Sequence, residues 1–165
     1  RCYEMDGAGS ITADSADADG LPVCFYVKSG TPAAFILPVD SRGLWGTIHG
    51  YMAIENDGST VAGFSVYSHS ETPGLGGEIE KPWFQQNFVG KRIVDAAGTF
   101  TSIGIAKGKV ADVVTPDRQA NFVDGISGAT LTGRYLTGGL KDLLTSYETL
   151  STQFRDGTVA LPADG

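Results

Sequence analysis

Histidine is nearly missing from this chain. Only His49 and His69 are present, so no multi-histidine metal centre can form. Cysteine is almost as scarce. Cys2 and Cys24 are too few for a disulfide framework, and their spacing is not that of a metal site. A single Cys2–Cys24 bridge stays open; the apolar run LPVCFYV around Cys24 favours a free thiol in the core. Cations are in deficit, with 12 Lys+Arg against 19 Asp+Glu and a formal charge of −7. That balance lacks the electrostatic footprint of a nucleic-acid binder and suits an anionic lipid surface poorly. No stretch of about 18 apolar residues occurs, so nothing in the sequence reads as a membrane span. No signal peptide is visible.

Glycine, at 23 of 165 residues, is plentiful, and turns and close backbone approaches should be common. The length suits one domain, 1–165, with a proper core. Residues 1–20 and 156–165 are expected to be loose; DGAGSITADSADADG (6–20) is small, acidic and turn-rich. LPVCFYVK (21–28) and AFILPV (34–39) read as strands. Leu44–Glu55 and Thr60–His69 flank Asn56-Asp57-Gly58, a strong hairpin signal, and imperfect alternation predicts a bulge at Gly50 or Gly63. Glu71 to Gly77 cannot be regular structure. A short helix is expected near 82–90, opened by Pro82 and closed by Gly90, with Trp83 and Phe84 as core residues. Residues 91–94 and 100–107 look strand-like, 109–115 fits strand or helix, and 116–121 is a polar loop. Leu136, Leu140, Leu143, Tyr147 and Leu150 recur at helical spacing and predict a C-terminal helix near 129–151. Gly138-Gly139 weakens that helix and suggests a close contact there. The fold class is α+β, with a mainly antiparallel twisted sheet and a loop-rich middle.

The densest chemistry is DGISGATLT, Asp124 to Thr132. A helix starting near Ser127–Thr130 offers free N–H groups and the positive end of its dipole to an anion. Gly125, Gly128 and Ala129 leave room for a phosphate. Ordinary capping competes: Ser127 as N-cap with Asp124 ahead of it accounts for two residues. A serine hydrolase is disfavoured, because Ala129 stands where G-x-S-x-G needs its second glycine.

DGISGAT resembles the flavinylation motif D-G-x-[ST]-G-A-T of the FMN-binding domain family. HSETPGLG, His69 to Gly76, resembles a second block of the same family, in the same order. The resemblance covers roughly Leu44 to Leu150. The family includes a subunit of the sodium-translocating NADH:quinone oxidoreductase and one of the Rnf complex; GEIEKPWF, Gly77 to Phe84, is closer to the former. The resemblance implies FMN bound covalently, by a phosphoester, to Thr130, attached by a flavin transferase with FAD as donor. It implies a ring wall from Thr72 and Leu75, with Gly74 helping to fix the loop's path, and the FMN phosphate is then expected over the amides of Ser127, Gly128 and Ala129. Lys107 is expected to set a positive charge near the flavin. No catalytic role is expected for Glu71, and no acid–base pair or metal is implied. The implied activity is electron relay within a membrane redox complex of the cell inner membrane, on the extracytoplasmic side. Members normally carry an N-terminal transmembrane helix, and these 165 residues show none. An Rnf-type carrier is the alternative of the same class. A non-redox extracytoplasmic binding or scaffold domain is the alternative of another class.

Overall fold

A computed structural model describes residues 1–12 and 20–163. Six antiparallel strands form one sheet: β1 (Cys2–Met5), β2 (Ile11–Thr12), β3 (Leu21–Lys28), β4 (Thr31–Arg42), β5 (Thr47–Glu55) and β6 (Val61–Ser68), in the order β2-β1-β3-β4-β5-β6. Val23, Phe25, Phe35, Leu37, Val39, Ile48, Met52, Ile54, Phe64 and Val66 are buried. Their period-2 spacing places them on one face. The β5–β6 register shifts beside Gly50 and again beside Gly63, so both expected bulge positions carry an irregularity. In the turn between these strands, the Asp57 carboxylate accepts the amides of Ser59 and Thr60 at 2.8 Å.

The buried face is covered by α3 (Thr130–Ser146) and α4 (Glu148–Asp156). Leu136, Leu140, Leu144, Leu150 and Phe154 are buried, and Phe154 stacks on Phe35 at 4.7 Å between centroids. The single helix expected near 129–151 is therefore two. Its break is Tyr147, whose backbone leaves helical geometry and whose hydroxyl donates to the Pro22 carbonyl of β3 at 2.6 Å. Of the two helix glycines, Gly139 packs against Ser41 of β4 so closely that any Cβ would collide, while Gly138 faces open space. At the far edge, α1 (Pro82–Gln86) and the turn after it send Phe84 and Phe88 against Phe64.

The loop-rich middle holds less strand than its sequence suggests. Residues 91–94 and 100–107 yield isolated bridges at Arg92 and Val94 and the two-residue β7 (Gly104–Ile105). Residues Val110–Val113 settle as α2, and Pro116–Asn121 as a 3-10 turn leading into β8 (Phe122–Val123). β7 and β8 pair in parallel. Thr137 of α3 fixes this pair to the helix: its hydroxyl accepts the Ile105 amide at 2.9 Å and donates to the Gly133 carbonyl.

The favoured reading of Cys24 as a free core thiol is corrected. Cys2 and Cys24 stand opposite one another in the β1–β3 register and are joined by a disulfide. LPVCFYV looks continuously apolar, but as a strand it alternates. Val23 and Phe25 point into the core, and Cys24 points to the other face. Residues 2–5 and 11–12, expected to be loose, are strands at the sheet edge. Residues 13–19 of the acidic segment lie outside the described residues. In the C-terminal tail, Val159 and Leu161 pack partly against the core.

Candidate functional site

Each residue of DGISGAT has a distinct job. Asp124 accepts the Val110 amide at 2.7 Å, so it caps α2 and not the following helix. Gly125 lies against the Ala106 carbonyl, where a Cβ would collide. Ile126 is partly buried on the core. Gly128 has φ of 75°, a left-handed conformation natural to glycine. Ala129 is the N-cap of α3 and supplies no side-chain acceptor. The first α3 bond is Gly133 N–H to Ala129 O, at 3.1 Å. The amides of Thr130, Leu131 and Thr132 therefore have no internal acceptor among the described residues. The expected Ser127 cap is corrected: Ser127 lies two residues before the N-cap, and its exposed hydroxyl makes no hydrogen bond among the described residues. The left-handed Gly128 inserts a turn between Ser127 and the helix and carries the serine out of capping range.

Thr130, the first helical residue, is exposed and lies where two clefts meet. One cleft, of about 530 Å³, runs between β7 and α3 and is bordered by Ile105, Lys107, Ile126, Leu131, Arg134 and Thr137. The other, of about 230 Å³, is bordered by Leu44, Trp45, Thr72, Leu75 and Gly128. Ala129, Thr130 and Leu131 belong to both. The second cleft offers aromatic and apolar surface open to solvent, with Trp45 68% and Leu75 42% exposed.

Glu71 holds these parts together. Its side chain is 4% exposed. Oε1 accepts the Leu44 amide at 2.7 Å and the Thr132 hydroxyl at 2.9 Å; Oε2 accepts the Trp45 amide at 2.9 Å. One buried carboxylate thus ties the β4–β5 loop, the ETPGLG loop and the start of α3. His69 steadies the same loop, with Nδ1 accepting the Glu71 amide and Nε2 3.0 Å from Glu80. Thr132 is only 2% exposed. It faces inward, away from Thr130, as two residues on a helix must.

A small apolar platform beside an unpaired helix start suits a flat ring carrying a phosphate. Comparison with known proteins agrees. The FMN-binding domain model matches residues 43–145. The chain belongs to the FMN-binding domain family. It is similar to NqrC of the Na(+)-translocating NADH-quinone reductase of Chlamydia trachomatis, 41% identical over 155 residues, 88% of this chain and 49% of that protein. The corresponding protein of Vibrio campbellii is 41% identical over 146 residues, 84% and 54% respectively. The chain spans about half the length of these relatives. The crystal structure of the corresponding protein from Parabacteroides distasonis superposes with a TM-score of 0.79 at 30% identity, over 92% of this chain and 77% of that one. The Shewanella oneidensis NqrC structure, at 24% identity and TM-score 0.75 over 94% and 84%, shares the fold.

Within this FMN-binding domain, Thr72, Leu75, Gly128 and Ala129 come together beside Thr130. Lys107 also borders Thr130, but from the opposite cleft. Gly74, with φ of 75°, shapes the loop from an exposed position that borders neither cleft. Ser127 borders neither as well. Leu75 is no core residue; it reaches across to Gly128 and joins the two motifs. Phe84 is core, whereas Trp83 is half exposed and donates to Glu78 at 2.8 Å. Sequence reasoning missed Trp45, Leu131, Arg134 and the linking role of Glu71. Trp45 sits in GLWG, and the glycines around it were a legible sign of a loop holding an aromatic outward. Nothing in the sequence pairs Glu71 with Thr132, 61 residues away.

Proposed function

We propose that this domain is an electron carrier with FMN esterified to Thr130, serving in a membrane-bound Na(+)-translocating NADH-quinone reductase. The observation that carries the reading is Thr130 itself: an exposed hydroxyl at the uncapped start of α3, shared by both clefts. Attachment would exchange the AMP of FAD for the Thr130 oxygen, leaving threonyl-FMN and AMP, under a flavin transferase. When bound, FMN would supply the one- and two-electron chemistry of the relay. The chain's own residues would position it. The amides of Thr130, Leu131 and Thr132 favour a phosphate, and Lys107 and Arg134 add positive charge in the adjoining cleft. Trp45, Thr72 and Leu75 offer the wall for a flat ring. Glu71 keeps that wall and the helix start in register. The openness of the second cleft leaves an edge accessible to the next carrier.

The Cys2–Cys24 disulfide supports the extracytoplasmic placement, since such bonds persist in oxidising compartments. Among the described residues no helix is long and apolar enough to cross a membrane. The test is intact mass after co-expression with the flavin transferase. The parent chain should gain FMN minus one water, Thr130→Ala should gain nothing, and Thr132→Val should retain the adduct. Full flavin on Thr130→Ala, or flavin mapped to Thr132, would falsify the assignment.

A further inference from the structure

A third cleft, of about 200 Å³, adjoins the larger one through Thr137 and is bordered by Thr101, Gly104, Arg118, Phe122 and Lys141. The two clefts together form a strip along one side of α3. Lys107 and Arg134 stand in one part, Arg118 and Lys141 in the other. In a chain of net charge −7, no aspartate or glutamate borders either cleft among the described residues. Asp142, next to Lys141, borders a different groove with Asp40, Gly138 and Gly139; of the four cations only Arg134 reaches that groove as well. None of the four cations makes an ion pair among the described residues, although Glu148 pairs with Arg155 and Glu80 lies near Lys81. Arg118 is held by the Phe122 ring, 5.1 Å from its centroid, so its charge is placed in advance.

We infer that this strip docks an acidic segment of a partner protein, a reading that rests on the electron-carrier proposal for the partner's role. Arg134 and Lys141 are seven residues apart, two helical turns or about 10 Å. That is the reach of three residues of extended chain, so carboxylates on an extended acidic segment can meet both. The strip begins at Thr130, which brings the bound partner up to the attachment site. Net negative charge repels acidic partners from the rest of the surface, and a local cationic strip then fixes orientation as well as affinity.

The test uses the flavin-free chain, so its outcome is independent of whether Thr130 carries FMN. Deca-glutamate is titrated into isotope-labelled protein at low salt and amide shifts are followed. Shifts should concentrate at Gly104, Arg118, Thr137 and Lys141. The double variant Arg118→Gln/Lys141→Gln should weaken binding about fivefold with its spectrum still folded, and added salt should weaken the parent's binding. Lys28→Gln, an exposed cation on β3, should change nothing. No saturable shift along the strip, or equal weakening by Lys28→Gln, would overturn the inference. Shifts with vesicles containing phosphatidylglycerol but none with deca-glutamate would overturn it in favour of a lipid surface.

Discussion

Replacing Glu71 with glutamine tests how the site is held together. The side chain keeps its shape and loses its charge. Both carboxylate oxygens receive donors: Leu44 N–H and Thr132 O–H on Oε1, Trp45 N–H on Oε2. An amide has one acceptor oxygen, so either rotamer sets its NH₂ against a backbone N–H. Losing one hydrogen bond to a charged group costs roughly 1.5–3 kcal/mol, and the rest fall to neutral strength. Glu71→Gln should therefore cost about 2–4 kcal/mol. For a domain of this size each kcal/mol lowers Tm by about 2–4 °C, giving a fall of about 5–15 °C in a circular-dichroism melt. Thr132→Val, which removes one of the three bonds, should cost about 1–2 kcal/mol. The double variant should show coupling of about 1 kcal/mol, as direct partners do. Flavin attachment in Glu71→Gln should also slow, because the loop carrying Trp45 and the start of α3 lose their common tether. A melt of Glu71→Gln within about 1 °C of the parent, or additive losses in the cycle, would refute the carboxylate's linking role.

Leu75→Ala should change stability by less than about 1 kcal/mol, since the side chain is already half exposed, yet shift the visible spectrum and potential of the flavin-loaded protein. A large drop in Tm with an unchanged spectrum would show that Leu75 packs structurally and does not border the ring. Alkaline unfolding should depend on Tyr147. Burial, with Glu4 nearby, pushes its hydroxyl up from 10.0 to about 12. The folded state then keeps its proton after the unfolded state has lost it. That stabilisation is complete below about pH 10 and drains away between about pH 10 and about 12. Tyr147→Phe, which also gives up the bond to Pro22 for about 1 kcal/mol, should show a shallower loss of stability across this window. An equal slope in urea titrations of the two proteins would exclude Tyr147 as the group responsible.

Most of the sheet was legible because its signals are local. The Asp57-Gly58 turn and the apolar alternation on either side fix a hairpin without help from distant residues. The fold class and the C-terminal helical period were legible for the same reason. The failures share a cause in tertiary context. Cys24 sits in a run that periodicity cannot distinguish from a strand buried on both faces. Only the position of β3, with one face left open, turns the thiol outward to meet Cys2. Residues 100–107 have strand composition but form a ladder only over the two residues paired with β8, because Ile93, the Val94 bridge and Thr137 in the middle of α3 take their remaining contacts. Tyr147 interrupts the helix without glycine or proline, as its buried ring and hydroxyl answer to β3. At the site, the motif marked Thr130 and its neighbours, but Glu71 to Thr132 and Leu75 to Gly128 are contacts made by the fold.

Three hydroxyl residues at one turn have three separate explanations. Thr132 is a structural donor: turned inward, it gives its proton to Glu71. Ser127 sits ahead of the left-handed Gly128, beyond capping range and outside both clefts. Thr130 alone combines exposure, a place in both clefts and adjacency to unpaired amides. Capping and anion binding compete for the same N–H groups, so a helix start cannot serve both fully. Here the alanine at the N-cap leaves α3 uncapped, and Asp124, five residues ahead of it, is turned to α2 instead. An uncapped start costs a helix roughly 1 kcal/mol. A chain with serine and aspartate so close ahead of that start could have avoided the cost by a small change in the turn. The arrangement makes physical sense if an anion bound at Thr130 takes the place of the missing cap.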